Sequence, residues 1–144
     1  MKRDTDTARW PDGGLCVHES YEPPQVVEAA DLVLLSGQRG SKSTWLLEDF
    51  DGFGEDMRQL YEWNDSSKEI AATELVGALK LTRQIIWGDF IAFDSDQDRP
   101  WFVITAFDGC WFDVRTDDAE VIAALRSRYA DTRPLDPDAP RGAR

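Results

Sequence analysis

The sequence predicts an α+β fold. It reads as a single domain in which an antiparallel β-meander, with strands at about 85–93, 101–107 and 110–115, is packed with three or four helices. Three observations carry this. Trp101 to Phe107 and Cys110 to Arg115 are runs of aromatic and β-branched residues on either side of Asp108-Gly109, the strongest short hairpin signal. Ile85 to Phe93 is a third such run, separated from the first by an acidic loop and Pro100. Elsewhere, apolar residues recur at helical spacing.

Taken in order, residues 1–14 are polar, carry Pro11 and Gly13-Gly14, and predict a flexible N-terminus. Leu15 to Glu19 reads as a short strand at the edge of the sheet. Pro23-Pro24 breaks the chain and can start a helix. Val26, Ala30, Val33 and Leu34 place that helix at about 25–35, with Gly37 as its C-terminal cap; Leu32 to Leu35 would also suit a strand. Gln38 to Thr44 reads as loop, Thr44 to Phe50 declares neither strand nor helix, and Asp51-Gly52-Phe53-Gly54 is a break. From Glu55, the residues Met57, Leu60, Tyr61 and Asn64 mark one face of a short helix. Ser66 and Glu69 suit a capping box opening a helix with Ala72, Leu75, Val76 and Leu79 on one stripe. After the meander, Asp117 to Glu120 starts a further helix whose core face is Val121, Ile122, Leu125 and Tyr129. The tail at 133–144 holds three prolines and is expected to be disordered. The globular domain is therefore expected over 15–132.

A two-residue loop at Asp108-Gly109 sets a register in which Phe107 faces Cys110, Thr105 faces Phe112 and Val103 faces Val114. With Trp101, that side is the expected core side. Phe102, Ile104, Ala106, Trp111, Asp113 and Arg115 form the other side. That mixture suits either cover by another segment or a partner surface.

The 144 residues are enough to bury a sizeable core, and 42% of them are hydrophobic, six being Trp. No apolar run is long enough for a membrane span, and the first residues carry no secretory signal. Cys16 and Cys110 make no disulfide framework, so a cytoplasmic location with reduced thiols is expected. A net charge of −12 disfavours nucleic acid and anionic membranes, and favours encounter with a basic protein. Charge concentrates between Leu46 and Asp65, where seven acids accompany one base, Arg58.

Several motifs fall short of their chemistry. Gly37 to Thr44 resembles a phosphate-binding loop, but Ser41 rather than Gly precedes Lys42 and the loop is one residue short. Asp94-x-Asp96-x-Asp98 opens like a calcium loop, but Arg99 stands where Gly is needed and Thr105 where the bidentate Glu is needed. Cys16-x-His18 offers too few ligands for zinc. No pair of acids is singled out for acid–base catalysis. The expectation is no catalytic residue, no metal and no cofactor.

What remains is an acidic protein-binding module, most naturally an inhibitor or immunity protein of the antitoxin type that neutralises a basic protein such as a nuclease toxin. The partner-binding candidates are Asp49, Asp51, Glu55, Asp56 and Glu62, with Trp63 as an aromatic anchor, and Phe102 and Trp111 on the outer hairpin face. A structural or regulatory interaction module using that hairpin face is the second expectation, and a small ligand-binding domain or enzyme the third.

Overall fold

The structure, a computed structural model, describes residues 3–143. Nine strands and five α-helices follow one another in the order β1 (Gly14–His18), β2 (Ser20–Tyr21), β3 (Pro24–Gln25), α1 (Ala29–Leu35), α2 (Gly37–Ser41), β4 (Thr44–Gly54), α3 (Arg58–Ser66), β5 (Ile70–Ala71), α4 (Ala72–Leu79), β6 (Thr82–Phe93), β7 (Pro100–Phe107), β8 (Trp111–Thr116), α5 (Ala119–Arg128) and β9 (Asp131–Pro134). Seven strands form one antiparallel sheet in the order β5-β4-β6-β7-β8-β1-β9, and β2 and β3 form a separate two-stranded ribbon. The meander β6-β7-β8 lies at the centre, and the fold is α+β as expected.

The helices cover one face. Leu32 and Val33 of α1, Leu60 and Trp63 of α3, Leu75, Val76 and Leu79 of α4, and Val121 and Leu125 of α5 pack onto Trp45, Leu47, Phe90, Phe102, Ile104 and Val114 of the sheet. Asp118 caps α5, its carboxylate accepting the amides of Glu120 and Val121. The stripe expected on α4 is the one buried, but the helix opens at Ala72. Ser66 closes α3, Ser67 follows in a left-handed conformation, and Glu74 accepts the Ala71 amide.

Four other expectations are corrected by the structure. The Asp51-to-Gly54 break lies inside β4, whose pairing with β6 is irregular there. Strand β1 is interior, because residues 131–134, the last two of which fall in the tail expected to be disordered, pair along its free edge. Residues 38–41 are helical, and Arg39 of α2 forms ion pairs with Asp94 and Asp118 and lies 4.1 Å from the Trp101 ring centroid. The chain from Arg3 to Asp12 lies across the second face of the sheet, where Trp10 is buried with Leu46, Ile91, Phe93 and Val103. Burial of Trp10 together with the hydrogen bonds that Arg3, Asp4 and Arg141 make along the segment offsets the cost of ordering it.

The hairpin register is also corrected. Asp108 and Gly109 have φ of 49° and 66°, and the Cys110 amide donates to the Phe107 carbonyl at 2.8 Å. The turn is therefore where Asp-Gly put it. Pairing, however, resumes with Phe107 opposite Trp111, so Cys110 is an extra, unpaired residue and every later partner shifts by one. Phe102, Ile104 and Ala106 now share the helix-covered side with Thr116, Val114 and Phe112. Thr105 and Val103 lie opposite Asp113 and Arg115 on the other side. The expected register would have put Asp113 and Arg115 on the same side as Phe102 and Ile104, which the helices cover. The shift moves both charges to the second face, where they remain buried but lie within each other's electrostatic reach.

Candidate binding face

The second face of the sheet is built from lateral rows in which neighbouring strands place side chains side by side. One row runs Glu48, Asp89, Thr105, Asp113, Cys16 and Arg133, across β4, β6, β7, β8, β1 and β9. The next row, toward the hairpin, holds Asp51, Trp87, Phe107, Trp111, His18 and Asp131. The rows end in acids at β4 because that strand bulges. Asp49, with φ of 52°, is an extra residue between Glu48 and Asp51, and a compensating irregularity at Ile86 restores the pairing. Bulges re-aim side chains in this way. Here the result is three acids within four residues, while Phe50 turns into the core.

Aromatic contacts join the second row. Trp87 meets Phe107 edge-on at 6.3 Å, Phe107 stacks on Trp111 at 5.6 Å, and Trp111 stacks on His18 at 5.6 Å. Trp111 keeps 36% of its surface exposed, so a large rigid ring is available at the centre of this strip.

The acidic row is electrostatically loaded. Burial raises the Asp89 carboxyl to about 7, hydrogen bonds from Thr105 and Ala143 oppose the rise, and Asp49 and Glu48 add to it. Burial also raises Glu48 and Asp113, the latter against hydrogen bonds from Cys16 and Trp111 and the charge of Arg115. The Cys16 sulfur lies 3.1 Å from His18 Nε2, yet burial and then Asp113 push its thiol up to about 12. A thiol held protonated is no nucleophile at neutral pH, so the Cys16–His18 contact is structural. Among the described residues, no cluster of His, Cys, Asp and Glu has the geometry to hold a metal ion. Among the same residues no helix is long and apolar enough to cross a membrane.

The residues expected to contact a partner divide into three groups. Asp49, Asp51 and Trp111 come together with this face, Asp51 accepting the Tyr61 hydroxyl at 3.1 Å. Glu55, Asp56 and Glu62 belong to α3 and its lead-in at the β4 edge. There Asp56 forms an ion pair with Arg58, and Glu55 and Glu62 are exposed. Phe102 and Trp63 are corrections: at 0% and 4% exposure both lie in the helix-covered core and have no surface to offer. Trp63 is inward because α3 begins at Arg58 and packs through Leu60 and Trp63, one helical turn apart. Sequence reasoning missed Trp87, Phe107, Glu48 and Asp89 as members of the face, while it had placed Asp113 on the same side of the hairpin as Trp111. The signal was the alternation Trp87, Asp89, Ile91, Phe93, visible once the register is known.

Comparison of the chain with family models, curated proteins and solved structures returned no match.

Proposed function

We propose that this protein is an acidic binding module that neutralises a basic protein, an inhibitor or immunity protein of the kind that blocks a cationic enzyme such as a nuclease toxin, acting from the cytoplasm. The observation that carries the reading is the meeting of two features on one sheet face. The bulge acids Glu48, Asp49 and Asp51 run directly into the Trp87–Phe107–Trp111 strip. A net charge of −12 steers a basic partner toward the molecule. The half-exposed aromatic ring anchors it, as interface hot spots commonly do.

Kinetics test this. A partner recovered by pull-down from the native host is followed by surface-based or stopped-flow association at rising salt. Wild type is expected to associate fast at low salt and slow markedly as salt is added. Asp49→Asn with Asp51→Asn, which keeps residues that tolerate the left-handed bulge, is expected to lower the association rate about tenfold at low salt and flatten the salt dependence. Rates that ignore both salt and the double variant would contradict the electrostatic part. They would favour a second reading, a regulatory interaction module held by the aromatic strip alone, for which the partial exposure of Trp111 is the specific support.

A further inference from the structure

Part of the second sheet face is covered by the chain itself. Residues 135–140 leave β9 as a mostly exposed, proline-containing tether. The chain then returns to the sheet at Arg141, Gly142 and Ala143. The Arg141 guanidinium donates to the carbonyls of Thr7 and Trp10, at 3.2 and 3.0 Å, and forms an ion pair with Asp12. Gly142 has φ of +100°, and a Cβ added there would lie 3.7 Å from Asp89 Oδ2 and 3.8 Å from the Trp10 ring. The Ala143 amide donates to Asp89 Oδ2 at 3.3 Å, while Asp89 Oδ1 accepts the Thr105 hydroxyl. Three residues thus close over the buried Asp89 with one long side chain between them.

This seat borders the strip described above. In its row Glu48 pairs directly with Asp89 from β4 and Asp113 lies two strands away on β8, beyond Thr105, and Trp87 is its neighbour two residues along β6. Without residues 141–143, Asp12 and Asp89 would lose the partners they hold there, with Arg115 the nearby opposing charge. That charge balance calls for a cation, and the flat approach of Gly142 calls for an extended backbone with a small side chain.

We propose that residues 141–143 stand in for the partner, and that this seat receives an extended arginine-bearing segment of a basic protein in exchange for them. The proposal rests on the reading of the partner as a basic protein, and it adds what part of that partner enters and what must leave first. The strap is three residues long, follows an exposed tether and carries no large apolar side chain, so local opening is the way it leaves. While seated, it keeps Asp89 hydrogen-bonded and screens the acidic row from non-specific cations.

The test uses a fluorescein-labelled, amidated peptide, Pro-Arg-Gly-Ala-Arg, and the full chain. Arg141→Ala removes the bonds to Thr7, Trp10 and Asp12. It is expected to bind the peptide at least about tenfold more tightly than wild type by anisotropy, with the Trp10 indole resonance shifting on titration. Equal affinities, or shifts that spare Trp10, would overturn the proposal. Should Arg141→Ala melt far below wild type, hydrogen exchange on the wild-type chain decides instead. An Ala143 amide that exchanges well before the amides of β6 and β7 supports a strap that opens locally, and one that exchanges only with them contradicts it. Salt-independent association of the whole partner would remove the electrostatic reading and leave the peptide result standing. Failure of the peptide would leave the salt dependence untouched.

Discussion

Asp89 shows how one residue couples the sheet to its surroundings. It is 2% exposed, its partners among the described residues are the Thr105 hydroxyl and the Ala143 amide, and burial holds its carboxyl at about 7. An unfolded Asp titrates near 3.9, so between roughly pH 4 and 7 the folded protein holds a proton that the unfolded chain has lost. The contribution of this group to stability therefore falls as pH rises through that window and is lowest above 7. Asp89→Asn keeps the shape and both partners while removing the charge. It is expected to melt about 3 °C or more above wild type at pH 8, with the difference shrinking as pH falls toward 4. A difference in melting temperature that does not change with pH would mean that Asp89 is not the buried titrating group described. The same residue was hidden in the sequence, because one carboxylate among 28 acids carries no mark of burial until its register is known.

At the scale of elements, the turn at Asp108-Gly109 governs the whole face. The Gly109 amide donates to the Ile86 carbonyl at 3.0 Å, tying the hairpin tip to the irregularity in β6. Gly109→Val places a β-branched residue at φ of +66° and brings its Cβ within 2.5 Å of Gln84. It is expected to destabilise the fold by more than about 1 kcal/mol in chemical denaturation. A midpoint equal to that of wild type would contradict the turn geometry. The three meander strands, the turn, the α4 stripe and the start of α5 were legible because each is written in neighbouring residues. The Cys110 bulge was not, because its cause is remote: helices from four other segments claim the Phe102–Ile104 side. The β4 bulge at Asp49 was equally silent, and Asp51-Gly52-Phe53-Gly54 read as a break because two glycines in an irregular strand resemble a loop. Trp63 misled because the stripe read as inward, Met57, Leu60, Tyr61 and Asn64, is turned from the one that packs, Leu60 and Trp63, while Tyr61 stays exposed.

At the scale of the molecule, the sheet separates two tasks. The helix-covered face carries most of the buried apolar residues, so the other face is left to carry charge. β7 is buried along its whole length because the helices lie on one side and residues 3–12 and 141–143 on the other. The cover stops at the hairpin end, which leaves Trp111 partly exposed beside acids that composition alone had located only to a stretch of chain. The net charge of −12 is what motivates the basic partner proposed above; composition did not foresee that Asp51 and Trp111 share a face, since sixty residues and three strand pairings separate them.

The central claim is that this face, rather than the acids of α3, meets the partner. Titration calorimetry of Trp111→Ala and Glu62→Ala against the recovered partner, each variant first matched to wild type in melting temperature, tests it most directly. Trp111→Ala is expected to weaken binding about 30-fold, roughly 2 kcal/mol, and Glu62→Ala less than about threefold. Binding that survives Trp111→Ala and fails with Glu62→Ala would contradict the account.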